Sequence, residues 1–379
     1  MKKILIFIDW YIPAYKAGGP IISVKNIIDH LSSKFDFYIV TSNLDIDNKK
    51  VVDNLELNKW ISRTNHQIIY LNTNSQNIAT YNKIIDDLHP EIIYLNSFFS
   101  YKFSILPILV SRKNKNINKI ILAPRGMLGE GALKIKWFKK VCFLKFVKFI
   151  NFYSNIYWHA STINESIEIQ NIFGTNSKIT VAQNLSAINE KLNFKVGKLE
   201  DGFLTILYLS RISKKKNLLF LIQSIICSKN KSKIKLKIIG FCEDEFYFKS
   251  CMDLVNDNQI DFEFIGSIPH DQLSKYYFGA DIFCLPTLHE NYGHVILEAL
   301  SHGLPIIISQ NTPWRNLEFN KVGFDLPLLS SSFSSKIDYF LSLDDSSFSS
   351  YSENSINYYK EINPINKLVI DNINLFSYN

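Results

Sequence analysis

The chain has 379 residues, more than one hydrophobic core fills comfortably, so two domains are expected. Its 46% apolar and 20% charged residues exclude a disordered chain, and a formal charge of +7 favours anionic partners: phosphates, nucleotides, acidic lipids or nucleic acid. The five scattered cysteines form no C-x-x-C pair, as expected of reduced thiols in a cytoplasmic protein, and no apolar run reaches the roughly 18 residues of a membrane span.

The N-terminus, MKKILIFIDW, imitates a signal peptide, but Asp9 closes its apolar run after five residues, so it reads as a buried strand, Lys3–Asp9. A glycine pair, Gly18-Gly19, then opens a helix, Gly19–Leu31. Further strands are expected at Phe37–Ser42, Gln67–Leu71, Ile92–Asn96, Ile120–Pro124, Tyr157–Ala160 and Ile179–Ala182. Helical periodicity fills Ile78–Leu88, Tyr101–Arg112, Ala132–Ile150 and Asn164–Phe173. Strands rich in Ile and Val, separated by helices, imply a parallel sheet covered on both faces. Residues 1–187 therefore form a first α/β domain, and the pattern lapses over a linker at 188–202.

The cycle restarts with strand Leu204–Leu209, helix Leu218–Ile226, strand Leu236–Gly240, helix Glu245–Val255 and strand Asp261–Ile265. Helix His270–Phe278, strand Ile282–Pro286, helix Gly293–His302 and strand Pro305–Ser309 follow. This second doubly wound domain is expected over 203–355, with Ser-rich loops at Leu329–Lys336 and Leu343–Tyr351. The remainder, 356–379, is expected to pack back on the first domain. Ligands of open parallel sheets sit at the carboxyl ends of strands. Two Rossmann-like domains facing a cleft would place a ligand there.

His289-Glu290-x-x-x-His294 is one residue longer than a zinc-protease motif. Residues five apart diverge by roughly 140° around a helix, so the two imidazoles do not share a face and no metal is expected. The glutamates are more informative. Glu290 follows a strand, Glu298 lies inside the next helix among core-type residues, and Asn291-Tyr292-Gly293 begin that helix. A helix start offers unpaired N–H groups to anions, and Gly293 permits close backbone approach. Two carboxylates for hydroxyls and a helix start for phosphate suit a sugar nucleotide. Upstream, Arg211 follows the first strand of the second domain and Lys216 precedes its helix. Two fixed cations there would neutralise a diphosphate leaving group.

Together these segments resemble the second domain of the GT-B glycosyltransferases, in particular the retaining group numbered family 4. Its pattern of G/S-R, K-G/N and E-x-G/Y-G-x4-E-A ending in G-x-P is matched by Ser210-Arg211, Lys216-Asn217, Glu290, Gly293, Glu298-Ala299, Gly303 and Pro305. The resemblance covers roughly residues 204–315. Asn217 stands where Gly is frequent, and Asn291-Tyr292 where Gly-Phe is. The resemblance implies that Glu290 binds donor-sugar hydroxyls and Glu298 the nucleotide ribose. Backbone groups of Asn291, Tyr292, Gly293 and His294 would meet sugar and phosphates, and Arg211 and Lys216 the diphosphate.

In the first domain, Gly18 and Gly19 at a helix start suit close approach to a diphosphate or acceptor, and no G-x-G-x-x-G is present, against a nicotinamide dehydrogenase. Arg125 follows strand Ile120–Pro124. By the same resemblance it belongs to the acceptor side, where it would meet an anionic acceptor or the donor diphosphate. Asn96, where relatives often carry a His, and His159 are further acceptor-side candidates. Residues 133–152 alternate lysines with large apolar side chains, like an interfacial membrane segment. Lys136, Lys139 and Lys140 share one helical face while Lys134, Lys145 and Lys148 oppose it, so a helix broken near Val141 is expected.

The combined expectation is a metal-independent, retaining glycosyltransferase at the cytoplasmic membrane face. It would use a nucleotide-diphosphate sugar as co-substrate and a saccharide or lipid-linked acceptor in cell-surface polysaccharide or lipopolysaccharide synthesis, with no nucleic-acid partner. A sugar-nucleotide epimerase, or a non-catalytic scaffold of the same fold, is the alternative.

Overall fold

The computed structural model describes residues 1–49, 56–114, 117–134, 136–187 and 202–377. The chain divides into two units, Met1–Asn189 with Ile365–Asn379, and Glu190–Pro364. Each is a Rossmann-like α/β unit.

In the first unit the strands are β1 (Lys2–Phe7), β2 (Phe35–Ser42), β3 (Trp60–Ser62), β4 (Gln67–Leu71), β5 (Ile92–Leu95), β6 (Lys119–Leu122), β7 (Tyr157–Ala160) and β8 (Lys178–Val181). They form one sheet in the order β3-β4-β2-β1-β5-β6-β7-β8. Only β3, an edge strand with no sequence counterpart above, runs antiparallel. Alternate residues of β1 enter two different cores. Ile4 and Ile6 pack with Val24, Ile27 and Ile28 of helix Gly19–Leu31. Leu5 and Phe7 pack with Tyr81 and Ile85 of helix Ile78–Leu88. Burial on both faces is why β1 reads as an unbroken apolar run.

The second unit holds β9 (Leu204–Leu209), β10 (Ile234–Ile239), β11 (Asp261–Gly266), β12 (Ile282–Leu285), β13 (Ile306–Ser309) and β14 (Gly323–Leu326), all parallel, in the order β11-β10-β9-β12-β13-β14. In both sheets the first strand of the unit is central, and chain order reverses beside it: between β1 and β5, and between β9 and β12. Such switch points open a crevice at the carboxyl ends of the strands.

Several expectations change. The two Ser-rich segments are helices, Ser330–Ser342 and Asp345–Ile362. Phe333, Ile337 and Phe340 are buried at helical spacing, and the Asp344 carboxylate caps the second helix by accepting from Ser347 N at 2.7 Å. Tertiary burial of that stripe overrides the weak helix preference of serine. Because Asp345–Ile362 runs through residue 356 without interruption, the second unit extends to Pro364 rather than ending at 355. The final helix, Ile365–Phe376, belongs to the first unit. There Lys119 Nζ donates to the carbonyls of Leu375 and Ser377, and Asn372 Nδ2 to that of Gln183. The linker expected at 188–202 lies, over 188–201, outside the described residues.

The basic segment is two helices, Glu130–Lys134 and Trp137–Phe149. The break is at Lys136, held at φ 54°, and not near Val141, where the helix continues. Helix Trp137–Phe149 docks through Leu144 and Val147 and leaves Trp137, Phe138, Phe146 and Phe149 exposed. The helix expected over Tyr101–Arg112 begins as a wider π turn, Tyr101–Ile105, in which Ile105 N donates to Ser100 O. The helix expected over His270–Phe278 is a 3-10 turn, His270–Gln272, followed by Ser274–Phe278.

Candidate active site

The second unit's site is built on the ends of β9 and β12. After β9 the chain passes Ser210 and Arg211 and reaches Lys215-Lys216. After β12 it passes Thr287 and Leu288 and reaches Glu290. Leu288 N and Thr287 Oγ1 both donate to Lys215 O, at 2.8 and 3.1 Å, so the two loops are tied together. Glu290 N donates to Asn311 O at 2.9 Å, fixing the Glu290 backbone from the other side. The result is an ion pair between Lys216 Nζ and Glu290 Oε2, with side chains only 11% and 14% exposed. Burial pushes the Glu290 carboxyl up. The charge and hydrogen bond of Lys216, helped by Lys215 and His289, outweigh it and hold the carboxyl below its ordinary range.

Lys216 is followed by Asn217 at φ 61°, the residue before helix Leu218–Ile226. Asparagine tolerates this left-handed backbone, as glycine would. Gly293 is left-handed as well, φ 83°, and caps helix His294–Ser301. A Cβ on Gly293 would stand 2.8 Å from Ile296 Cδ1 and 3.2 Å from Glu290 Cγ. Glycine thus lets Glu290 pack against the start of this helix, whose dipole and N–H groups favour an anion. Asn291 and His294 flank it. Tyr292 is buried, its ring against Trp314 and its carbonyl accepting from Trp314 Nε1 at 2.6 Å, so this side chain belongs to the core.

Arg211 and Glu298 have protein partners that the sequence reading did not name. Arg211 Nη1 lies 3.1 Å from Glu243 Oε2, a residue of the loop after β10. Glu298 is buried, and both its oxygens already have protein donors: His270 Nε2 at 2.9 Å on Oε1 and Tyr277 OH at 2.8 Å on Oε2. Burial raises the Glu298 carboxyl, but His270 and the Tyr277 bond overcome that and bring it below the ordinary range. Glu243, His270 and Tyr277 are the residues that sequence reading misses. None stands in a motif, and only the fold brings them to Arg211 and Glu298.

In the first unit the acceptor-side candidates converge. Arg125 sits at φ 56° in a left-handed pair with Gly126, just after β6. Its Nε donates to Asn96 Oδ1 at 2.6 Å, Nη1 to Asn184 Oδ1 at 2.7 Å, and Nη2 to the Tyr94 hydroxyl at 2.8 Å. The Tyr94 hydroxyl lies 2.7 Å from His159 Nδ1, and His159 Nε2 lies 2.8 Å from Ala182 O. A carbonyl only accepts, so Nε2 carries the proton. Burial, reinforced by the Arg125 charge, lowers His159 to about 3 despite the Ala182 bond, so the ring is neutral and its Nδ1 accepts from Tyr94. Glu165 completes the cluster: its buried carboxylate takes Gly126 N at 2.6 Å, and Ser161 N and Oγ at 2.7 and 2.8 Å. The signal for Glu165 was present as Thr162-x-x-Glu165, a capping-box pattern, and Thr162 Oγ1 does accept from Glu165 N at 3.1 Å. Tyr94 had no signal beyond that of a core aromatic.

Gly19 is the first residue of its helix, after Gly18 at φ 71°. Asn96 Nδ2 donates to Pro20 O at 3.3 Å, joining the end of β5 to this helix start. Among the described residues, no group of three or more His, Cys, Asp or Glu is placed to hold a metal ion, and no helix is long and apolar enough to cross a membrane.

Residues 189–353 match the family described as Glycosyl transferases group 1. The alpha-monoglucosyldiacylglycerol synthase of Streptococcus pneumoniae is 31% identical over 147 residues, 37% of this chain and 31% of that protein. An uncharacterized glycosyltransferase of Methanocaldococcus jannaschii is 30% identical over 123 residues, 32% of this chain and 31% of that protein. The matched stretch thus spans about a third of the length of these curated relatives. Among solved structures, sucrose-phosphate synthase from Thermosynechococcus elongatus superposes with a TM-score of 0.77 at 16% identity, covering 99% of this chain and 98% of its own. Anabaena HepE in complex with UDP-glucose gives 0.74 at 14% identity, covering 99% and 100%. The second unit thus carries the match to the group 1 glycosyl transferases, and the chain's pair of Rossmann-like sheets has the GT-B fold.

Proposed function

We propose that the protein is a retaining glycosyltransferase that moves a sugar from a nucleotide-diphosphate sugar to a saccharide or lipid-linked acceptor in cell-surface polysaccharide synthesis. The observation that carries this reading is the buried Lys216–Glu290 pair beside the helix start at Gly293. It offers, within one element junction, a cation, a hydroxyl acceptor and the positive end of a helix dipole. In this reading the bond from the anomeric carbon to the diphosphate breaks, and Lys216, Arg211 and the helix start stabilise the departing charge. The acceptor hydroxyl attacks from the same face, and its proton passes to the departing phosphate. Glu290 holds donor-sugar hydroxyls and Glu298 the ribose; no metal takes part.

Glu290→Ala is expected to lower sugar transfer by roughly 100-fold or more; unchanged transfer would sink the site assignment. A thermal-shift screen across nucleotide sugars identifies the donor. UDP-glucose comes first in that screen because the Anabaena HepE structure holds it. Stabilisation by no nucleotide sugar would favour a non-catalytic scaffold. Activity is expected to persist in excess chelator, and its complete loss would overturn the metal-independent mechanism.

The exposed aromatics of helix Trp137–Phe149, with Lys139, Lys145 and Lys148 beside them, support a peripheral position at an anionic membrane surface on the cytoplasmic side. Binding to phosphatidylglycerol vesicles, absent for phosphatidylcholine alone and weakened by Phe138→Ser with Phe149→Ser, would support that position. Equal binding by the double variant would remove it.

A further inference from the structure

We infer that Arg125 is an oxyanion receptor of the first unit and that the acceptor substrate carries a negatively charged phosphate or carboxylate group which it reads. The inference rests on the glycosyltransfer reading and adds the chemical class of the acceptor.

Among the described residues, Arg125 is a cation held only by neutral groups: the amide oxygens of Asn96 and Asn184 and the Tyr94 hydroxyl. Among the described residues no carboxylate forms an ion pair with it. The carboxylate of the same cluster, Glu165, is occupied by Gly126 N, Ser161 N and Ser161 Oγ. His159, two bonds along the chain of donors, is neutral. A guanidinium has five N–H donors. Three are engaged, one on Nε and one on each terminal nitrogen, so each terminal nitrogen keeps one N–H. Two N–H groups on a pinned plane match the oxygens of a phosphate or carboxylate.

The placement agrees. Arg125 follows β6, and its partners follow or end the neighbouring strands: Asn96 after β5 and Asn184 after β8. The carboxyl edge of a parallel sheet is where ligands bind. Arg125 is half-buried, and its left-handed backbone, disfavoured for a residue with a Cβ by about 1–2 kcal/mol, is retained there.

The test uses the full-length protein with UDP at saturation, so that a diphosphate site in the second unit is occupied, and inorganic phosphate as probe. Phenylglyoxal modification of Arg125, mapped by mass spectrometry, should be slowed by phosphate in the wild-type protein. This readout needs no variant to fold. Arg125→Gln should weaken phosphate binding about tenfold or more and leave the UDP dissociation constant unchanged, with Arg125→Lys intermediate because it keeps the charge and loses the fork. Once a donor is known, the KM for an anionic acceptor should rise in Arg125→Gln while that for its neutral counterpart stays. No protection by phosphate, or equal phosphate affinity in the variant, overturns the inference and leaves Arg125 a structural clamp. Loss of UDP affinity in Arg125→Gln overturns it too and assigns the residue to the donor diphosphate. Failure of the wild-type protein to bind UDP would instead strike the glycosyltransfer reading, while phosphate protection of Arg125 is still read separately.

Discussion

The candidate sites of the two units hold their cations by opposite means. In the second unit's site three basic side chains face carboxylates: Lys216 with Glu290, Arg211 with Glu243, His270 with Glu298. In the first, Arg125 rests on two amide oxygens and a hydroxyl. A phosphate entering the second unit's site competes with resident carboxylates, whereas one reaching Arg125 would be its first charged partner. Paired ions fix orientation and mute the net field, while a neutral cradle fixes orientation and leaves the field in place.

The largest expected effect comes from breaking the most buried pair. Lys216→Met leaves Glu290 without its cation in a site where burial alone pushes the carboxyl up. A loss of about 3 kcal/mol of stability is expected, together with a fall in kcat/KM of roughly 100-fold. Urea unfolding and steady-state kinetics measure both, and unchanged unfolding would show that the pair behaves like a surface bridge.

Acid sharpens the contrast. His159 is pushed from 6.5 down to about 3 in the folded protein. The unfolded chain therefore binds a proton that the folded one refuses as pH falls below 6.5. The stability His159 contributes is complete above that pH and declines toward about 3, by about 1.4 kcal/mol per pH unit. Glu290 and Glu298 are lowered from 4.5, so their contribution is complete above 4.5 and is lost only as pH falls through their lower folded values. Between pH 6.5 and 5 the first unit should weaken while the carboxylates of the second remain ionised. His159→Gln should flatten the slope of stability against pH in that window, as measured by denaturation at a series of pH values; an unchanged slope would mean that His159 titrates normally.

Tyr94→Phe removes the hydroxyl shared by Arg125 and His159. A loss of about 1–3 kcal/mol is expected from the groups left unsatisfied, read in thermal unfolding. If Arg125 is the receptor inferred above, phosphate affinity should fall in parallel. The smallest effect belongs to Glu243→Gln. Arg211 and Glu243 are 33% and 42% exposed, so water screens the pair, and stability should change by no more than about 0.5 kcal/mol.

Much of the architecture was legible. Both sheets announced themselves as Ile- and Val-rich runs because β1 and β9 are buried on both faces, and helix Gly19–Leu31 kept a clean apolar stripe. Helix Ser330–Ser342 was hidden because serines surround its few anchors, Phe333, Ile337 and Phe340. The break at Lys136 was hidden because no glycine or proline marks it. In the site, Lys216, Glu290 and Gly293 were visible through spacing along single elements. Their neighbours were not. Tyr94 reads as one more apolar residue of β5, and Glu243 as one more acid in a charged loop.

By itself, the sequence determined two α/β units, the positions after strands where a site would lie, and the glycine at a helix start where backbone can approach a ligand closely. These are properties of periodicity and of local sterics. Only the tertiary structure decided who faces whom. It set Arg211 on Glu243, placed His270 and Tyr277 on Glu298, and gathered Asn96, Asn184 and Tyr94 around Arg125, with His159 on the Tyr94 hydroxyl. Neighbouring strands in a parallel sheet are separated in sequence by whole helices, so contacts across their ends carry no local signature.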